Sequence, residues 1–375
     1  MNKTTKKAYV ALSLTALVLS ACGGDDKDDA SSASSASTTP AAAPAATSAA
    51  APAAAPSSAA PAATSEAPAS TEASSEAPSA APDLSKIKVS YVSGMKALPF
   101  YVSVNCGATA RAKELGIQYE YNGPADYDAT QQIPIVNAVG AKKPDALIVT
   151  ATDSKALIAP LKAVKDQGIK IVEVDGTVED SSLSVSKVLS DNKGGGALAA
   201  KAINDLTGGK GSVVVISTKP GISSTDERGE GFKEAIKQYP GIKVLGIEYN
   251  GGSNATAQQI VTGLIAKHKD LSGVFGAGNV GSEGTAAALR AANVAGKVKV
   301  VQYDASPGQV EQLESKVLDA LIAQDPYQEG IDSVNQAVAA ATGQPTKDVL
   351  TDLHIITRET LADGSGKQFQ YKVAC

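Results

Sequence analysis

Tryptophan is absent from the 375 residues, phenylalanine occurs four times and histidine twice. With so few rings, any aromatic residue in a binding cleft stands out. The histidines, His268 and His354, fall at a helix end and in a terminal strand, with no Cys, Asp or Glu at ligating distance in the sequence, so no metal site is expected. Neither a GxSxG elbow nor an HExxH helix occurs. Ser223 and Ser224, in the loop Pro220-Gly221-Ile222-Ser223-Ser224-Thr225, have no histidine base and read as caps of the helix that follows. No catalytic residue is assigned, and no enzyme is expected. Thirty-four basic and 39 acidic residues give a formal charge of -5 and leave no basic stripe for nucleic acid. After an early apolar stretch no run of about 18 apolar residues follows, so no spanning helix is expected.

What is present begins with Lys3, Lys6 and Lys7 ahead of the apolar run Ala8 to Leu19. At about 12 residues the run fits a secretory signal core and is too short to cross a bilayer. Leu19-Ser20-Ala21-Cys22 at its end resembles the bacterial lipobox. That resemblance implies a signal peptide over 1–21 and a lipidated N-terminal Cys22, with an ordinary signal cut after Ala21 as the alternative. From residue 22 to 82 the chain is Ala, Pro, Ser, Thr and a few acids without an aromatic residue, so it buries too little to offset chain entropy. It reads as a disordered tether reaching between about 40 and about 180 Å. The run Asp25, Asp26, Lys27, Asp28, Asp29 reads as solvated charge.

Beyond Pro82 the pattern changes. Branched apolar runs at 87–92, 146–149, 169–174, 212–216, 244–247, 298–303 and 318–322 alternate with helical spacings such as Leu157, Ile158, Leu161, Val164. Strands alternating with helices imply an α/β fold with parallel sheets built from right-handed crossovers. In such sheets ligands sit beyond the carboxyl ends of the strands. One segment there, Gly276-Ala277-Gly278-Asn279-Val280-Gly281, matches the dinucleotide fingerprint, with Asp304 at about the right distance. Its late position and the export signal, which lacks a twin-Arg motif, argue against a bound nucleotide. No cofactor is expected. Asn254-Ala255-Thr256 matches a glycosylation sequon and reads as a helix start.

The residues that end the strands resemble one family in order along the chain. Pro99-Phe100-Tyr101, Asp175, Ser190-Asp191-Asn192 with three following glycines, Glu227-Arg228-Gly229, Asn279, Tyr303-Asp304 and Ala323-Gln324-Asp325-Pro326 are similar to the ribose-binding proteins, type I periplasmic sugar-binding proteins that serve ABC importers. The resemblance implies two Rossmann-like lobes joined by a three-crossing hinge. Residues 83–190 with about 325–350 would form the N-lobe, and 191–324 with about 351–375 the C-lobe and tail. It implies a monosaccharide or small polyol held by Phe100, Tyr101, Asp175, Arg228, Asn279, Asp304 and Gln324. The implied partners are an ABC permease and its ATPase, with the monomer attached to a bacterial membrane, in the periplasm or at the cell surface, by its lipid. A ligand-sensing subunit for chemotaxis or a histidine kinase is the alternative, and an exported NAD-dependent enzyme a further one. Leu98 stands where the family has Asn, Gly176 where it has Arg, and no stacking Phe lies near Gly252 and Ser253.

Lipidation of Cys22 leaves Cys106 and Cys375, an even pair in an oxidising compartment, where a disulfide is expected. The alternating segment Phe369 to Val373 is expected to add an edge strand that returns Cys375 to the first lobe.

Overall fold

The computed structural model describes residues 83–375, so the leader, Cys22 and the tether lie outside the described residues. In chain order the elements are β1 (Lys88–Val92), α1 (Pro99–Leu115), β2 (Gln118–Asn122), α2 (Ala129–Ala141), β3 (Ala146–Val149), α3 (Ile158–Lys165), β4 (Lys170–Val174) and β5 (Ser186–Ser190). There follow α4 (Asn192–Thr207), β6 (Gly211–Ser217), α5 (Ser223–Ala235), β7 (Ile242–Tyr249), α6 (Asn254–Lys267), β8 (Leu271–Gly276), α7 (Ser282–Ala291), β9 (Lys299–Tyr303), α8 (Pro307–Glu314) and β10 (Ala320–Ala323). The chain closes with α9 (Pro326–Ala341), β11 (Val349–Thr351), β12 (His354–Ile356) and α10 (Arg358–Ala362).

Two six-stranded sheets result, in the orders β11-β5-β4-β3-β1-β2 and β12-β10-β9-β8-β6-β7. Every pairing is parallel except β10 with β12. The central strands are largely apolar because helices cover both faces; β3, Ala146-Leu147-Ile148-Val149, is buried at every position. The chain passes between the sheets at Asp191, at Gln324-Asp325 and at Asp352-Leu353, which are the three hinge crossings. This is the two-lobed α/β architecture expected from the sequence. Among the described residues no helix is long and apolar enough to cross a membrane.

Local chemistry sets the ends that matter. Pro99 opens α1 with its φ already suited to a first turn, and Gly116, at φ 69°, closes it. Asp191 caps α4 by accepting the Gly194 N–H. The small residues that follow let α4 press against α5: a Cβ at Gly196 would stand 2.1 Å from the Arg228 carbonyl oxygen. Close helix contact here is what carries Arg228 into the interior.

Three local expectations are corrected. The strands β2 and β5 were not among the apolar runs, because β2 (Gln-Tyr-Glu-Tyr-Asn) lies at a sheet edge with only half-buried or exposed positions, and β5 alternates buried with half-buried residues. Ser223 does not cap α5; its hydroxyl accepts the Thr177 N–H from the other lobe at 2.9 Å. Asp226 instead accepts the Gly221 N–H. Residues Phe369 to Val373 form no strand. They follow a 3-10 turn over Lys367–Phe369, and successive amides reach different lobes: Tyr371 N–H donates to the Ala305 carbonyl and Lys372 N–H to Ser103 Oγ. A segment whose consecutive amides serve two lobes cannot continue one ladder. The tail nonetheless ends on α1, where Cys375 is bonded to Cys106 with the Cα atoms 5.2 Å apart.

Candidate functional site

The carboxyl ends of the strands of both sheets face one another across a cleft, and the loops there bear the polar side chains. Phe100 and Tyr101 come from the first turn of α1, Asp175 follows β4, and Arg228 projects from α5. Asn279 follows β8, Asp304 follows β9 and Gln324 follows β10. All seven line a single cavity of about 50 Å³. That space is on the scale of a few water molecules and does not admit a dinucleotide. Gly278, Asn279 and Val280 of the glycine motif form part of its wall.

Asp175 and Asp304 both have positive φ, 60° and 76°. Left-handed backbone at a non-glycine residue is costly, and Asp tolerates it better than most. Neither residue caps a helix: Ser306 precedes α8, and Asp175 leads into a loop. The turn at each strand end aims the carboxylate into the cleft. Tyr101 O–H donates to Asp175 Oδ2 at 2.7 Å. Gln324 Nε2–H donates to Asp304 Oδ1 at 2.8 Å and Tyr371 O–H to the same oxygen at 3.1 Å. Among the described residues no group donates a hydrogen bond to Asp175 Oδ1 or Asp304 Oδ2. Each is an acceptor in reserve, one from each lobe.

Arg228 is the hub. It is 3% exposed, and burial of a guanidinium demands partners on every side. Nε–H donates to Asn192 Oδ1 (2.9 Å), Nη1–H to the Ala277 carbonyl (3.0 Å) and Nη2–H to Gln324 Oε1 (2.9 Å). The guanidinium also lies 3.7 Å over the Tyr303 ring centroid and 3.8 Å from Asp175 Oδ1. Three of its five N–H groups are thereby used, leaving donors for a ligand oxygen. Burial pushes the Asp175 carboxyl up to about 6, against the opposing pull of Arg228 and of the Tyr101 hydrogen bond.

The apolar part of the wall is built from rings and branched chains. Tyr101 stacks on Tyr127 with centroids 6.3 Å apart, and Phe100 meets Tyr101 edge-on at 5.0 Å. Leu98, Ile222 and Val280 complete it. Tyr127 was missed in the sequence because it follows β2, a strand whose polar pattern hid it. A Cβ at Gly176 would stand 2.6 Å from the Ala151 carbonyl oxygen and 3.4 Å from the Tyr127 hydroxyl. Tyr127 thus stands beside Gly176, the position at which the resemblance implies an arginine. Asn279 is turned partly away: its amide donates to Ser306 Oγ and Gln309 Oε1.

The lobes are closed on one another. Ser154 N–H donates to the Gly221 carbonyl, Thr177 N–H to Ser223 Oγ, and Lys219 Nζ to the Tyr127 carbonyl. Residues 90–345 match the model of the periplasmic binding protein domain. The chain belongs to this family. Among solved structures, this periplasmic binding protein is similar to an ABC transporter solute-binding protein from Agrobacterium vitis bound with alpha-D-tagatopyranose, at 34% identity and TM-score 0.74 over 76% of this chain and 100% of that one. A carbohydrate transporter solute-binding protein from Agrobacterium radiobacter in complex with D-arabinose is 29% identical, with TM-score 0.72, over 76% and 98%. The ribose import binding protein of Bacillus subtilis is 28% identical over 229 residues, 61% of this chain and 73% of that one.

Proposed function

We propose that the protein is the substrate-binding component of an ABC importer and captures a monosaccharide or small polyol between its lobes without altering it chemically. The observation that carries this reading is the pair of buried carboxylates, Asp175 and Asp304, one per lobe, each with an oxygen free of protein donors and flanked by Arg228 and aromatic rings. Vicinal hydroxyls donate to carboxylates and accept from guanidinium and amide groups, while the C–H face of a sugar packs on flat rings. Because the two acceptors belong to different lobes, only the closed form satisfies both, and ligand favours closure by that differential affinity. The names of the solved relatives support the class of ligand.

Residues 1–21 act in this reading as an export signal, Cys22 carries the lipid, and 22–82 is the tether that lets a monomeric receptor reach its permease. The test is a thermal-shift screen with D-tagatose, D-arabinose, D-ribose, small polyols and amino acids. A bound sugar at a hundredfold over its dissociation constant stabilises the fold by about 2.7 kcal/mol and is recovered unchanged. Selective stabilisation by amino acids overturns the sugar reading. Mass spectrometry of the membrane-extracted protein finds acyl chains on Cys22; an unmodified terminus overturns the anchor.

A further inference from the structure

We propose that the C-terminal tail is a fourth, disulfide-closed crossing between the lobes, and that it seats Tyr371 as a positioning residue for Asp304 and Gln324. The proposal rests on the cleft being the ligand site. Up to the Tyr371 amide the tail is held by the second lobe. Arg358 Nη1–H donates to the Leu318 carbonyl at 2.8 Å, Phe369 stacks on His354 of β12 with centroids 3.5 Å apart, and Tyr371 N–H donates to the Ala305 carbonyl at 2.9 Å. One residue later the contacts change lobes. Lys372 N–H donates to Ser103 Oγ on α1, its ammonium lies 4.2 Å over the Tyr327 ring of α9, and Cys375 is bonded to Cys106.

The strap is short. Four residues after Tyr371 span at most about 14 Å when fully extended, so the bond limits how far α1 can move from the Ala305 region. The strap runs beside Gln324-Asp325-Pro326, which share a groove with it, so it acts next to the second hinge crossing. Without the bond, exposed residues 372–375 would have little besides the Lys372 contacts to hold them.

The strap also completes the back of the ligand site. Tyr371 is 4% exposed and its ring packs against Phe100 at 5.6 Å. Its hydroxyl accepts the Gln324 N–H at 3.0 Å and donates to Asp304 Oδ1 at 3.1 Å. One hydroxyl therefore fixes a hinge amide and the carboxylate of the second lobe together, while the free Asp304 Oδ2 is left to the ligand.

Hydrogen exchange on the full chain without sugar tests the strap. In both Cys375→Ser and Tyr371→Phe the Gln324 amide exchanges at least tenfold faster than in the parent, while central β6 amides keep their protection. Unchanged Gln324 protection in either variant, or a loss spread evenly through β6, overturns the proposal. Titration with D-tagatose, D-arabinose and D-ribose tests the positioning role. Tyr371→Phe weakens the bound sugar about tenfold in the parent and by much less in an Asp304→Gly background, where only the Gln324 contact is left to lose; equal losses in both backgrounds overturn it. Should the parent bind none of these sugars, the sugar reading fails while the exchange experiment still decides the strap.

Discussion

Arg228 and Asp175 meet across the boundary between the lobes, Nη2 to Oδ1 at 3.8 Å, with both side chains almost wholly buried. The gap is too wide for a hydrogen bond, so the pair attracts without being locked. A ligand hydroxyl placed between them can donate to the carboxylate and accept from the guanidinium, which gives the closed form an interaction the open form lacks.

Asp304→Asn should weaken ligand binding while leaving the fold intact, since Asn tolerates the same left-handed backbone. Loss of a charge-assisted hydrogen bond costs about 1.5–3 kcal/mol, roughly ten- to a hundredfold in affinity. Calorimetry giving parental affinity would remove Asp304 from the site.

Arg228→Ala is expected to lower both affinity and melting temperature. The side chain holds Asn192, Ala277 and Gln324 and lies over Tyr303, so its removal leaves buried neutral acceptors within the second lobe unpaired, at about 1–3 kcal/mol each. A variant that melts with the parent would show that these contacts carry no stability.

Affinity should fall as pH drops through about 6, because the buried Asp175 carboxyl takes a proton there and becomes a weaker, uncharged acceptor for a ligand hydroxyl. Asp175→Asn should bind more weakly at pH 7.5 and lose that acid limb. A parental profile unchanged between about pH 5 and 7 counts against ligand contact at Asp175.

Stability should fall as pH rises, through Glu329. This side chain is fully buried at the hinge, accepts from Ser190 Oγ and Thr351 Oγ1 on Oε1, and leaves Oε2 without a partner. Burial, with Asp175 adding repulsion and Arg228 opposing it, pushes its carboxyl up to about 8. The folded state thus binds the proton more tightly than the unfolded chain. The contribution is complete below the ordinary value of 4.5 and is lost as pH climbs through about 8. Asp175 acts with the same sign between 3.8 and about 6. Melting temperature against pH should decline less steeply for Glu329→Gln; parallel curves would refute the assignment.

Gly196→Ala should destabilise the second lobe, because the added methyl meets the Arg228 carbonyl at 2.1 Å and α4 must back away from α5. Overpacking of this kind costs about 1–3 kcal/mol. Chemical denaturation with an unchanged midpoint would show that the helices have slack.

The sequence alone determined the alternation of strands and helices and the chemistry at the strand ends. Apolar runs and helical spacings depend on nearest neighbours along the chain, and the rule that ligands sit at carboxyl ends converts strand ends into candidate residues. That rule points to the residues that directly follow strands, among them Asp175, Asp304 and Gln324, while the choice of these together with Arg228 and Asn279 comes from the resemblance to the ribose-binding proteins. Tyr127 is not reached by the rule, since the strand before it lies at an edge and carries no apolar signature. The tertiary structure decided everything that depends on distance between remote segments: the left-handed turns that aim two aspartates at one point, the linkage of Arg228 to Asp304 through Gln324, and the burial that shifts Asp175 and Glu329. It also decided the fate of the tail. Alternation in Phe369 to Val373 reads as a strand, but the pattern specifies only which side chains are apolar. Whether the amides meet one sheet edge or two separate lobes is fixed by where those lobes stand, and here they divide Tyr371 from Lys372.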